Sequence, residues 1–206
     1  QLLLRAMDAL TADALQELLR AADPAVLLVR SRILRRVIKR ARRVRGALGQ
    51  VPHRQGFVVR RPMLLECAFP WELGLATGAE LPDAVILLER PSDDRLVELG
   101  RDEALVRWWR LLFHARVHMA LESVDGRHRL NQAVVRERVD RIGQTAFDEI
   151  RSVLDEEHLL FERRNERDEY VEFVATFLEF RAFAPHLLHR YFPTLADDAE
   201  RLSVVV

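Results

Sequence analysis

Hydrophobic positions along the chain fall into three regimes. Apolar residues keep helical spacing to about residue 46, gather into short β-prone runs between 50 and 92, and return to helical spacing until about 184. Thr11 is placed to cap a helix over Ala12–Ala22 that ends before Pro24. Pro24 fits the first turn of a second helix reaching Gly46, with Val26, Val29, Ile33, Val37 and Val44 along one face. Gly56–Arg61, Met63–Cys67 and Ala84–Leu88 are β-prone and are punctuated by prolines and glycines such as Pro62, Gly74 and Pro82. They predict a small antiparallel sheet of roughly two to four strands. Beyond Asp93 the spacing predicts helices over Arg101–Ser123, Asn131–Ile142, Thr145–His158 and Arg167–Ala184, broken at Asp125-Gly126, Gly143 and Pro185. The expected fold is α+β and mostly α-helical. A basic helical arm over 1–49 precedes a body over 50–206, whose sheet lies in 50–92 and whose helices lie in 93–206, one of them buried and central.

Charge sharpens that division. The 206 residues carry 32 basic and 32 acidic side chains and no net charge, yet residues 1–61 hold 14 basic against 4 acidic ones. Nine cations fall between Arg30 and Arg45, among them Arg35, Arg36, Lys39, Arg40, Arg42 and Arg43, the candidate anion-binding residues. A helix of this kind can dock on an acidic protein surface, on nucleic acid, or on the acidic remainder of its own chain. Its apolar face lacks the Trp or Phe that interfacial membrane helices carry, and no aromatic residue is interleaved with the cations for base stacking. Lys39 is the single lysine, a skew that points to a GC-rich bacterial coding sequence. One cysteine, Cys67, excludes an internal disulfide framework and fits a reducing, cytoplasmic setting. No run approaches the roughly 20 apolar residues of a membrane span. The chain opens at Gln1 and closes on Val204-Val205-Val206, which suggests one domain of a longer protein with neighbouring segments as partners.

The chemistry concentrates in Trp108-Trp109-Arg110-Leu111-Leu112-Phe113-His114-Ala115-Arg116-Val117-His118. His114 and His118 are four residues apart, so on a helix their imidazoles stack on one face and can address one point. Burying both imidazoles and Arg116 among apolar neighbours costs free energy unless each finds a partner. A metal ion would supply one for the histidines; a hydrogen-bonded core pair is the competing expectation. Glu122, one turn further on, is placed to orient His118 from outside a ligand set.

A helix carrying His-x-x-x-His, preceded by a strand-rich segment and followed by a glutamate-bearing helix, resembles the zincin class of metallopeptidases. The resemblance to its glutamate-ligand branch implies zinc as cofactor, with His114 and His118 as ligands and a third ligand on a later helix. Glu172, set among Val171, Phe173 and Val174, is the best match, ahead of Glu169 and Glu179. Two histidines and a carboxylate leave a fourth position for water. The sequence departs from the family where its catalytic glutamate should stand: the residue after His114 is Ala115, which accepts no proton. The resemblance therefore implies a zincin-like metal-binding domain that is hydrolytic only with a replacement base. A non-catalytic interaction module built on the cationic helix is the alternative.

Elsewhere the signals are thinner. Asp155 and His158 give one carboxylate-x-x-His spacing without the second that a di-iron bundle needs. His186 and His189 belong to a C-terminal turn expected to face solvent. The chain contains neither a Gly-x-Ser-x-Gly nucleophile elbow nor a phosphate-cradling glycine loop.

Overall fold

A three-stranded sheet in the order β1-β3-β2 organises the N-terminal half, with β1 at Val26–Val29, β2 at Gly56–Arg60 and β3 at Ala84–Glu89. The computed structural model describes residues 10–43, 55–75, 80–122, 130–157, 159 and 165–196, without the side chains of 42, 43, 122 and 196. The remaining elements are helices: α1 (Ala12–Ala22), α2 (Ser31–Arg43), α3 (Arg61–Cys67), α4 (Asp93–Leu99), α5 (Arg101–Glu122), α6 (Gln132–Ile142), α7 (Gln144–Glu156), α8 (Glu166–Phe183), and the single turns α9 (Leu188–Tyr191) and α10 (Pro193–Ala196). The fold is thus mostly α-helical with one small sheet. The chain divides into two compact units, 1–115 and 116–206. No helix among the described residues is long and apolar enough to cross a membrane.

In the first unit β2 pairs antiparallel with β3, placing Phe57 opposite Leu87 and Val59 opposite Val85. β1 adds to the other side of β3 in parallel, Val26 opposite Ile86 and Leu28 opposite Leu88. The sheet is therefore mixed, where the sequence pattern led to an antiparallel one, because its third strand comes from inside the stretch expected to be helical. Asp23 and Pro24 explain the difference. The Val26 amide donates to the Asp23 carbonyl and the Ala25 amide to Asp23 Oδ1, closing a turn in which proline occupies the favoured second position. The turn releases Val26-Leu27-Leu28-Val29 as an extended, wholly buried run, a setting that suits β-branched residues. Only from Ser31 does the basic segment become a helix.

Met63–Cys67, expected as a strand, lies in α3 instead. Pro62 sits in the first turn of that helix, where its missing N–H is no loss, and Met, Leu and Glu carry it onward. Strand residues of one parity (Leu27, Val29, Phe57, Val59, Val85, Leu87) share a core with Ile33, Leu34 and Val37 of α2 and Leu64 of α3. The free edge of β1 is occupied by Gln16 of α1, whose Nε2 donates to the Val26 carbonyl and whose Oε1 accepts from the Leu28 amide. A side-chain amide thus stands in for a fourth strand and masks an edge open to other chains.

The second unit is helical. Asn131 and Asn165 cap α6 and α8 through their side-chain oxygens, and Gly143, at φ +94°, separates α6 from α7. α8 is buried on nearly every side. Its Phe173 and Phe177 rings lie 5.4 and 5.9 Å from Phe192, and Phe180 lies 5.1 Å from Tyr191. Val135, Val139 and Ile142 of α6 and Phe147, Ile150 and Leu154 of α7 complete this core. Tyr170, fully buried, accepts at its hydroxyl from Arg138 Nη1 at 3.2 Å.

Two outcomes test this packing. Phe173→Ala should lower unfolding stability by about 3–5 kcal/mol in urea denaturation followed by circular dichroism, whereas Val106→Ala, at an exposed position, should stay within about 0.5 kcal/mol. Burial raises the Tyr170 phenol above its ordinary value of 10.0, with Arg138 opposing the shift. An acid raised in the folded state contributes stability below its unfolded value and loses it as pH climbs through the folded one. In a Tyr191→Phe variant, whose one remaining tyrosine is Tyr170, phenolate absorbance should therefore appear only above pH 10, together with a loss of stability.

Candidate metal centre

α5 is the longest helix, and its buried positions Ala104, Trp108, Leu111, Ala115 and His118 recur at three- and four-residue intervals. The interval carries His114 and His118 inward together, separated by about 6 Å of helical rise. Arg116 falls on the other side and is exposed, so the cost of burying its guanidinium does not arise. Trp108 keeps its indole N–H satisfied through the Glu89 carbonyl at 3.2 Å.

On α8 a polar line interrupts an otherwise apolar helix. Glu172, Thr176 and Glu179 stand at i, i+4 and i+7, and all three are buried. Glu172 Oε2 lies 3.3 Å from His118 Nε2, and the Thr176 hydroxyl donates to the other carboxylate oxygen across a long 3.5 Å. One ligand atom from each of His114, His118 and Glu172 falls within 4.8 Å of the others. The three residues are 1, 2 and 1 % exposed. A tetrahedral zinc ion with ligand bonds of about 2.0–2.1 Å separates its ligand atoms by about 3.3 Å. The His118–Glu172 spacing already equals that edge, and the His114 ligand atom lies within 4.8 Å of both. Two imidazoles and a carboxylate are a donor set suited to zinc and its first-row neighbours, leaving one position of a tetrahedron for another ligand.

The structure distinguishes Glu172 from its sequence rivals. Glu169 is committed to Arg151, whose Nε donates to it at 2.7 Å. Glu179 is buried two turns beyond Glu172 on the same helix and stands outside the cluster. The contribution of Thr176 was missed in the sequence, although a hydroxyl four residues after a buried glutamate is a legible hint of a carboxylate being held. Glu122 ends α5, but its side chain lies outside the described residues, as does His158. His186 and His189 are exposed, as expected. Ala115 is fully buried beside His114 and presents only a methyl group.

The cationic helix forms intrachain pairs. Arg36 Nη2 meets Glu72 at 2.9 Å and Arg40 Nη2 meets Glu66 at 3.2 Å. Glu72 also accepts from the Phe69 backbone N–H, and that bond, followed by Arg36, holds its carboxyl below the usual carboxylate range. Arg35 and Lys39 are exposed, and the side chains of Arg42 and Arg43 lie outside the described residues. Cys67 is half-buried beside this helix. Desolvation pushes its thiol above 9.0 against the opposing pull of Arg40 and Arg36, which leaves it protonated and a poor nucleophile at neutral pH. No family model, curated protein or solved structure matches this chain.

Alkylation reads the state of this thiol. Iodoacetamide should modify folded Cys67 more slowly at pH 7.5 than the same chain in denaturant, with a rate that climbs until the pH exceeds 9. A folded thiol that reacts faster than the unfolded one would contradict the burial argument.

Proposed function

We propose that this protein is a metal-binding domain that holds a divalent cation, best matched by zinc, on His114, His118 and Glu172. The observation that carries the proposal is the meeting of three buried ligand atoms from two helices within 4.8 Å. Two neutral imidazoles and one carboxylate would leave a bound dication with residual positive charge. Thr176 would keep the carboxylate turned toward the ion.

The zincin-like resemblance supports zinc and the two-histidine, one-glutamate ligand set. It does not carry hydrolysis with it. A zincin glutamate takes the proton of the metal-bound water, and Ala115 offers no acceptor at the corresponding position. The reading we favour is accordingly a metal site whose first role is to neutralise and fix a buried polar cluster, hydrolytic only where another group supplies the base. A second reading, an interaction module, draws on Arg35 and Lys39. These remain exposed on α2 while Arg36 meets the largely covered Glu72 and Arg40 meets the exposed Glu66, a pair that salt screens readily.

Metal analysis tests the first reading. Protein dialysed against zinc and then against metal-free buffer should retain about one equivalent per chain, and the His114→Ala/His118→Ala variant less than about a tenth. At a free zinc concentration near 100 times the dissociation constant, the wild type should gain about 2.7 kcal/mol of stability and the variant none. Wild-type protein that retains no metal and gains no stability from zinc would leave the cluster as a hydrogen-bonded ion pair and end the proposal.

A further inference from the structure

A cleft of about 340 Å³ opens within the first unit, lined by Arg20 of α1, Arg30 and Arg32 at the start of α2, Arg90 after β3, and Trp71. Its size lies at the small end of pockets that hold low-molecular-weight ligands. Two carboxylates reach it, and both are engaged. Asp13 binds Arg90 Nη2 at 2.9 Å, and Glu72 is shared between Arg36 and the Phe69 amide. Arg20, Arg30 and Arg32 have no ion pair among the described residues. Arg20, Arg30 and Arg32 therefore line one concavity without an ion pair among the described residues, at the end of a strand that leads into a helix N-terminus, although the charge of Arg32 is felt by Glu72. The lining holds four arginines against two carboxylates, so its field favours an entering anion.

The wall of the same cleft carries an aromatic surface. Trp71 is 73 % exposed and Phe69 65 %, and their rings lie parallel, 6.1 Å apart and 8° from coplanar. Solvent-exposed stacked aromatics beside unpaired arginines form a platform for a flat ring attached to a negative charge. The platform also answers an objection raised by the sequence, where no aromatic residue is interleaved with the basic helix. The short 3-10 turn Pro70–Leu73 supplies the ring from elsewhere in the chain, and Gly74 closes that turn in the left-handed conformation at φ +67°.

We propose that this cleft binds a nucleotide, with its phosphate on Arg20, Arg30 and Arg32 and its base against Trp71. Guanidiniums here do the work that backbone amides do in a glycine-rich loop, because their forked donors match phosphate oxygens in pairs. Gln16 is held by two hydrogen bonds to the β1 backbone, so that part of the lining is placed before a ligand arrives. The same chemistry is offered by a free mononucleotide and by one residue of a single-stranded nucleic acid. The site is separate from the histidine cluster in residues and does not depend on metal.

Titration of the full chain with AMP, with inorganic phosphate and with a short single-stranded RNA distinguishes the sources, read by tryptophan fluorescence and by calorimetry. AMP or RNA should quench Trp71, while Trp108 and Trp109 continue to emit in a Trp71→Leu variant that has lost the quenching. Affinity should fall by about tenfold or more in Arg30→Gln/Arg32→Gln protein whose circular dichroism is unchanged. Quenching by AMP without tighter binding of RNA assigns a free nucleotide; tighter, salt-sensitive binding of RNA assigns a single strand. Absence of binding by both ligands at about 5 mM overturns the proposal. Equal binding of inorganic phosphate, or affinities unchanged in both variants, does so as well.

Discussion

Two imidazoles and a carboxylate withdrawn from water impose the tightest constraint on α5 and α8. Transfer of such groups into an apolar interior is unfavourable by several kcal/mol each when nothing compensates, far above the few tenths that any surface contact contributes. The sequence must therefore satisfy the three groups together. It does so through helical spacing: four residues between His114 and His118, and four between Glu172 and the threonine that meets its second oxygen. A shift of either helix by one residue would rotate its polar groups by about 100° and strand them among aliphatic side chains. The cluster consequently acts as a register lock as well as a candidate metal centre, the use of buried polar groups that is best attested in helical assemblies.

How much of this was legible in the sequence depended on whether a local rule decided the matter. Helix boundaries written by caps and breakers were readable, as at Thr11, Asn131 and Gly143. The histidine pair was readable too, because i and i+4 are fixed by helix geometry alone. Val26–Val29 was not. Its four apolar residues fit a strand and a buried helix turn equally well, and the choice was made by an Asp-Pro turn and by pairing with a β3 strand nearly sixty residues away. Met63–Cys67 failed for the opposite reason, since Pro62 opens a helix as readily as it ends a strand. The convergence of Glu172 with the histidines was a bet on composition that only tertiary structure could support.

The basic segment shows a similar split between composition and placement. Read as a charge run, residues 30–45 suggest one cationic surface. In the fold the described arginines separate into three kinds. Arg36 and Arg40 turn toward Glu72 and Glu66, Arg35 leans back on the Ser31 carbonyl at 3.3 Å, and Arg30 and Arg32 border a cleft with an indole on its wall. Counting cations locates the region, and the fold then separates arginines that meet a carboxylate from those without an ion pair among the described residues. A net charge measures attraction at a distance; concavity and an adjacent flat ring define what is held.

Ala115 decides how far the zincin resemblance can be taken. A lesion in an otherwise catalytic site would leave a gap where the glutamate had been, open to substrate and water. Ala115 is instead wholly buried on the inward face of α5, in line with Leu111 and His118. A glutamate there would drive a fourth ionisable group into a packed interior with no described partner waiting for it. The alanine is matched to its surroundings, and the surroundings are those of a core. That favours a cluster whose chemistry is to bind, neutralise and hold two helices in register over one arranged to move a proton from water.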